Sequence, residues 1–320
     1  MKNQAIKNAN SKNDVLSPMT LTKNVKLLKE YDAEDFAKIW REQLGIEIGY
    51  LFKNTPKFYL YECSVSRLRF YYPFEIAGDA ALYDRLSEKN SWYYGTDKWE
   101  FLKGLEILQK AKARTVLEIG AGMGYFIKHA SKLGFSPLGL EFNPHALVKA
   151  KLEGLPIADS TMKNLIADRR TFDAVVSFEV FEHVVSPREY VEESLRLLTP
   201  GGALIIAVPN RDSFIRHDKV YLDMPPHHML SISSKFFEYL AQAFDLDLVA
   251  TYFEPLAEYH IDYYLSIQDT RWRKVLPLWG AVRKVILPSL KWLLHFSTLR
   301  RLVKGQTMLA HFVKKINHDK

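Results

Sequence analysis

Cysteine is nearly absent: Cys63 is the single one in 320 residues. One thiol excludes a disulfide framework and a zinc site built on cysteines, and it is consistent with a reducing compartment. No run of about 18 apolar residues occurs, so no transmembrane helix is expected. The first twenty residues are rich in Asn and Lys and lack the apolar stretch of a secretory signal. Residues 1–20 are therefore expected to form a frayed polar arm, and the protein to be cytoplasmic. Internal repeats are absent too. What is present is ordinary globular composition, 48% hydrophobic and 25% charged. Lys and Arg number 44 against 37 Asp and Glu, a net +7. That excess is local. Residues 270–318 hold eleven of the 44 and no acid, leaving 33 basic against 37 acidic elsewhere.

From residue 114 to 255, short β-branched runs (115–120, 136–142, 172–180, 202–210 and 246–255) alternate with segments of helical length. Strands spaced by helical crossovers predict an α/β, Rossmann-like fold with a parallel sheet covered on both faces. Upstream, the pattern predicts a helix over Ala33–Leu44 and a strand over 58–61. The apolar run 307–313 reads as one more strand. The expected organisation is an aromatic-rich extension or lid (21–111), a core (112–256), a basic helical insertion (257–304), and a final strand and tail (305–320).

The sharpest local signal is Glu118-Ile119-Gly120-Ala121-Gly122-Met123-Gly124, a buried strand running into alternating glycines and then a helix from about Tyr125. Such glycines permit a tight turn and close backbone approach to a ligand, although a strand–helix turn can need them for structural reasons alone. Glu141, 23 residues after Glu118, ends the next strand, where an acid can accept both ribose hydroxyls. Asp159 stands at the exit of the third strand and can take the exocyclic amine of an adenine. Three polar groups on one sheet edge predict a nucleoside site. Strictly alternate glycines and the bulky Met123 argue against a dinucleotide pyrophosphate, which needs the G-x-G-x-x-G spacing.

The glycine loop resembles the first motif of class I S-adenosylmethionine-dependent methyltransferases. Glu141, Asp159, the strand Phe172-Asp173-Ala174-Val175-Val176-Ser177 and Leu198-Thr199-Pro200-Gly201-Gly202 resemble the later motifs in the same order. The resemblance implies a seven-stranded sheet whose last strand is inserted antiparallel beside the fifth. It also implies S-adenosylmethionine bound by Glu118, Gly120, Ala121, Gly122, Gly124, Glu141, Phe142, Asp159 and Glu179. Within the family the chain looks most like bacterial sugar and surface-polysaccharide methyltransferases, and secondarily like ubiquinone-type O-methyltransferases. The N-terminal segments of such relatives fold over the cofactor, which gives Tyr94 and Trp99 as covering residues, if they are not simply core. The segment from Tyr61 to Phe70 is similar to half of the zinc ribbon at the front of these relatives, with Ser66 where a cysteine is expected. It reads as a metal-free remnant that keeps the hairpin.

Methyl transfer to a hydroxyl needs alignment and a base to remove the proton. Histidine suits the second task. Glu179, Glu182 and His183 share one face if their turn is helical, and the pattern is similar to the metal-associated E-x-x-E-H of ubiquinone-type enzymes. His183 is thus a candidate base, and the three together are candidate ligands for a divalent metal. The competing reading has Glu182 and His183 capping and packing the next helix. Pro225-Pro226-His227-His228 supplies the other candidate bases, His227 and His228, between which sequence does not choose.

Apolar residues recur at helical spacing through 271–304 with Lys and Arg between them, and Pro277 and Pro288 are expected to break the stretch into short helices. Such a segment suits peripheral contact with an anionic membrane, or packing over the sheet; nucleic acid is not expected. The expected activity is O-methylation of a sugar, glycolipid or polysaccharide acceptor. The alternatives are a quinone or lipid-phenol acceptor, and an inactive binding scaffold.

Overall fold

In the computed structural model, which describes residues 14–89, 95–96 and 98–316, residues 15–19 are packed rather than frayed. Val15 and Met19 are buried in the main core, and Ser17 accepts the amides of Met19 and Thr20. The expected arm is therefore too long: apolar side chains bring 15–19 back onto the body. Residues 1–13, and Tyr94 with its neighbours 90–93, lie outside the described residues.

The first unit is β1 (Val25–Asp32), α1 (Ala33–Leu44), β2 (Lys57–Cys63), β3 (Arg69–Tyr72), α2 (Ala80–Lys89) and α3 (Trp99–Lys110). Asp32 starts α1 by accepting the amides of Glu34 and Asp35, and Gly45 ends it at φ 64°. Trp40, Phe36, Phe58 and Tyr71 form a separate aromatic core here.

The central sheet follows: β4 (Thr115–Ile119), α4 (Tyr125–Lys132), β5 (Ser136–Leu140), α5 (Pro144–Leu152), β6 (Ile157–Ala158), α6 (Met162–Ala167), β7 (Phe172–Phe178), α7 (Pro187–Arg196) and β8 (Leu198–Pro209). The short β9 (Leu230–Ser231) leaves this unit and completes the antiparallel sheet β1-β2-β3-β9. Then come α8 (Ser234–Ala243), β10 (Leu246–Pro255), α9 (Ile261–Val275), α10 (Trp279–Leu294), α11 (Ser297–Arg300) and β11 (Lys304–Lys314). The seven-stranded order is β10-β11-β8-β7-β4-β5-β6, with β11 antiparallel to both neighbours, as the motifs implied.

Alternate side chains of the central strands feed two cores. Leu117, Val175, Leu204 and Ile206 face one layer; Val116, Ala174, Val176 and Ile205 face the other. A sheet covered on both faces explains why these strands read as unbroken apolar runs.

The insertion departs from expectation at one proline. Pro277 separates α9 from α10, but α10 continues through Pro288. Proline removes one helical N–H, and Leu287, Leu290 and Leu294 around it pack on the cluster of Ile261 and Leu265. Among the described residues no helix is long and apolar enough to cross a membrane.

Candidate active site at the carboxyl edge of the sheet

The glycine loop lies between β4 and α4 with φ of 73° at Gly120, 52° at Gly122 and 76° at Gly124. A Cβ on Gly120 would come within 2.5 Å of Val180 Cγ2. Gly120 and Ala121 both donate to the Leu140 carbonyl at 2.9 Å. Glu141 closes the arrangement: Oε2 accepts the Gly122 amide at 2.7 Å, and Oε1 accepts those of Phe142 and Asn143 at 2.7 and 2.8 Å. Loop and acid are thus one hydrogen-bonded piece. Phe142 is 63% exposed at this edge, Asp159 is exposed after β6, and Trp99 is half-buried at the start of α3.

Beneath the loop, two buried carboxyl groups each leave one oxygen without a partner. Glu118 Oε2 and Glu179 Oε1 accept no hydrogen bond. Burial, followed by the charge of Glu141, holds Glu118 well above its ordinary value. Burial, followed by Glu182 and Glu100, does the same to Glu179. Glu100 is itself raised by burial, and Lys98 is the cation that opposes this in all three. Glu179 also has a left-handed backbone, φ 55°, a conformation that costs a β-carbon residue about 1–2 kcal/mol. An orphaned acid on a strained residue at a sheet edge is what a cationic ligand would relieve.

The candidate histidines converge. His183 occupies a single 3₁₀ turn (Phe181–His183) after β7, and His227 and His228 come from the loop before β9. Their ring centroids are 4.7, 4.8 and 4.3 Å apart, and one nitrogen from each lies within 4.8 Å of the others. His183 Nδ1 donates to the His227 carbonyl at 2.5 Å, and His227 Nδ1 donates to Leu222 at 2.8 Å. Carbonyls only accept, so both neutral rings carry the proton on Nδ1, which makes Nε2 the acceptor nitrogen. Glu182 does not cap the following helix. It is 1% exposed and neither of its oxygens accepts a hydrogen bond, while Oε1 stands 3.6 Å from His183 Nε2 and 3.8 Å from His228 Nε2. The Met229 amide donates to the Glu182 carbonyl at 2.9 Å, which fixes the histidine loop against the turn.

Burial dominates the titration of this cluster. It lowers His183 to about 4 and, with His183 adding to it, His227 to about 3. His228 is well below its ordinary value through burial, then His227 and His183. The same burial raises Glu182 to about 8 and Asp223 to about 6. The imidazoles are therefore neutral acceptors at pH 7, not groups poised at neutrality as a lone catalytic histidine would be.

His228 and Asp223 border a cavity of about 630 Å³ between the N-terminal sheet and residues 209–224. Sequence reasoning missed Glu100, Lys98, Asp223 and this cavity's arginines. Glu100 and Lys98 follow the aromatic run directly and Asp223 precedes the proline pair, so proximity to a motif was the available signal.

Residues 96–251 match a protein family described as a methyltransferase domain. A protein of Mycolicibacterium smegmatis described as a probable S-adenosylmethionine-dependent methyltransferase is 28% identical over 131 residues, 40% of this chain and 49% of the relative. A ubiquinone biosynthesis O-methyltransferase of Roseobacter denitrificans is 34% identical over 119 residues, 35% of this chain and 48% of the relative. The chain spans about half the length of the curated relatives it matches. A solved S-adenosylmethionine-dependent methyltransferase from Archaeoglobus fulgidus is similar at 15% identity and TM-score 0.44, covering 67% of this chain and 94% of that one.

Proposed function

We propose that this chain, residues 96–251 of which belong to the class I S-adenosylmethionine-dependent methyltransferases, methylates a hydroxyl of a sugar or glycan acceptor. One observation carries the reading: unpartnered buried acids beneath a glycine loop share a sheet edge with a histidine cluster that borders a cavity. When bound, S-adenosylmethionine supplies an electrophilic methyl on an excellent leaving group. Glu141 accepts the ribose hydroxyls, Asp159 takes the adenine amine and Phe142 covers the ring. Glu118 and Glu179 face the cationic end, where their raised pKa values fall back as the opposing charge arrives. His228, on the cavity wall, accepts the hydroxyl proton, and the adjacent Glu182, where ionised above about pH 8, stabilises the imidazolium that results. His183 and His227 hold that ring in place by packing around it.

Calorimetry with S-adenosylhomocysteine tests the cofactor half. Binding that is lost in Gly122→Val is expected, and no binding by the intact chain removes the reading. A scaffold without activity would need neither the glycine loop nor the ribose acid.

The histidine cluster also supports a second reading, a divalent cation at His183, His227 and His228 with Glu182. Three Nε2 or Nδ1 atoms within 4.8 Å and a carboxylate without partners suit nitrogen–oxygen coordination. The Nδ1–H donors to backbone carbonyls are the usual orienting contacts of such ligands. Bound there, a cation would act as a Lewis acid and lower the pKa of the acceptor hydroxyl.

Peripheral membrane contact rests on α10. Leu278, Val282, Val285, Trp292 and Phe296 recur at helical spacing and are all exposed, Leu278 by 77% and Val285 by 70%. Basic residues flank the stripe, which fits an interface-lying helix on an anionic surface.

A further inference from the structure

The cavity beside His228 has a charged end that the reading above does not use. Its wall carries Lys29, Arg69, Arg211, Arg216 and Lys219. Three acids oppose them: Asp218 accepts the Tyr263 hydroxyl at 2.8 Å, and burial raises Asp223 to about 6. The third, Asp212, is 3.9 Å from Arg211 Nε.

Arg69 and Arg211 belong to a group with more guanidinium than carboxylate. Arg69 Nε is 2.7 Å from Glu62 Oε2, and Arg67 Nη2 is 2.9 Å from Oε1, so one acid serves two arginines. Arg211 stands beside them, and its hydrogen bonds, to the carbonyls of Arg67 and Ser231 at 3.2 Å, use Nη1 alone. Burial first, and then the charge of Arg69, brings Arg211 down to about 10. At the mouth, burial and then Arg271 and Arg216 lower His217. Burial is the larger cause of both shifts, and neighbouring positive charge adds to it. The opposite wall is aromatic: Phe36 contacts Tyr31 and Tyr221 with ring centroids 6.1 and 5.9 Å apart.

We infer that this cavity binds a phosphate ester, with its phosphate at Arg69, Arg211 and Arg216 and its hydroxyl-bearing portion directed along the aromatic wall to His228. Guanidinium matches phosphate oxygens in pairs, and the volume is that of a small-molecule site. The inference rests on the methyltransferase reading for what happens at His228, but the anion site stands on its own residues.

The test is calorimetry of the intact chain with inorganic pyrophosphate, alone and with S-adenosylhomocysteine bound. Pyrophosphate is expected to bind, more weakly as salt rises. Affinity should fall at least tenfold in Arg211→Gln and in the exposed-site variant Arg216→Gln, while Arg211→Lys keeps part of it. S-adenosylhomocysteine affinity should stay unchanged and so report an intact fold. Competition by glucose 1-phosphate assigns the phosphate to a soluble ester; competition only by phosphatidic acid vesicles assigns it to a lipid headgroup. Failure of pyrophosphate to bind a protein that binds S-adenosylhomocysteine overturns this inference and leaves the methyltransferase reading standing. Unchanged pyrophosphate affinity in both glutamine variants also overturns it. Pyrophosphate binding without S-adenosylhomocysteine binding sustains the anion site and removes the methyltransferase reading.

Discussion

Glu182 Oε1 lies 3.8 Å from His228 Nε2, in a pocket where neither oxygen of that carboxyl accepts a hydrogen bond. An acid and an imidazole at that separation, both dry, can hold one proton between them but not a separated charge from either. Ionised, Glu182 is the anion that an imidazolium at His228 needs, and burial keeps it protonated below about pH 8. His228→Ala should lower kcat by about 10²–10⁴, the range for a lost general base, and Glu182→Gln should lower it chiefly above about pH 8, where Glu182 is ionised. S-adenosylhomocysteine affinity should be unchanged in both. Wild-type kcat in His228→Ala would move the base elsewhere.

The same pair sets the pH dependence of stability. Folding raises Glu182 from an ordinary 4.5 to about 8. The stability it contributes is complete below its ordinary value and is lost as pH rises through about 8. Folding lowers His183 from 6.5 to about 4 and His227 to about 3. Their contribution is present above 6.5 and is lost as pH falls through those values. The ligand-free protein should therefore show a Tm that declines on both sides of a middle range. Glu182→Gln should flatten the alkaline side alone. An alkaline slope identical to wild type would separate that decline from Glu182.

Coordination makes a different demand on the cluster. A cation needs Glu182 ionised, so zinc should bind more tightly as pH rises through about 8. Equilibrium dialysis should find one zinc per chain, with affinity reduced at least tenfold in His228→Ala, and a chelator should reverse the gain in Tm. Unchanged affinity in His228→Ala removes the second reading.

Gly120 offers a steric test of the cofactor site. A methyl there meets Val180 at 2.5 Å and must also tolerate φ 73°, which itself costs about 1–2 kcal/mol. Gly120→Ala should lower Tm and abolish S-adenosylhomocysteine binding while the far-ultraviolet dichroism of the sheet persists. Retained binding would show that the loop does not need this backbone.

These residues differ in how far the sequence announces them. The central strands were legible because both faces of β7 and β8 are buried, so their residues form continuous apolar runs. β1 was not, because Val25–Asp32 is an edge strand exposed along most of its length and shows no alternation. β9, two residues long, carries no period at all. The glycine loop and Glu141 are local and stood out as a motif. His183 reaches the His227 carbonyl across 44 residues, and only the return of the chain through β9 brings them together. Arg211 reaches the Arg67 carbonyl across 144 residues. Spacing along a chain says nothing about such meetings, so each histidine motif was visible and their union was not.

The exposed face of α10 gives the last prediction. Its buried side, Trp279 and Leu294, packs inward, so Leu278, Val285 and Trp292 face outward for reasons the fold does not supply. Charge separates two explanations. Residues 270–318 carry eleven basic side chains and no acid. Asp269 and Asp262 pair with Arg273, Arg283 and Lys291 but leave the basic side in excess, so a second copy of this surface would meet mostly like charge. An anionic bilayer would meet its complement. Each Lys or Arg near such a surface adds about 1 kcal/mol, and apolar burial adds to it. The protein should co-sediment with vesicles containing phosphatidylglycerol, less so at high salt, and weakly with phosphatidylcholine alone. Val285→Glu with Trp292→Glu should abolish sedimentation while leaving S-adenosylhomocysteine binding intact, since neither residue touches the sheet edge. Equal sedimentation with neutral and anionic vesicles would discard the electrostatic part of the argument. Concentration-dependent dimerisation lost in the same variant would assign the stripe to self-association instead.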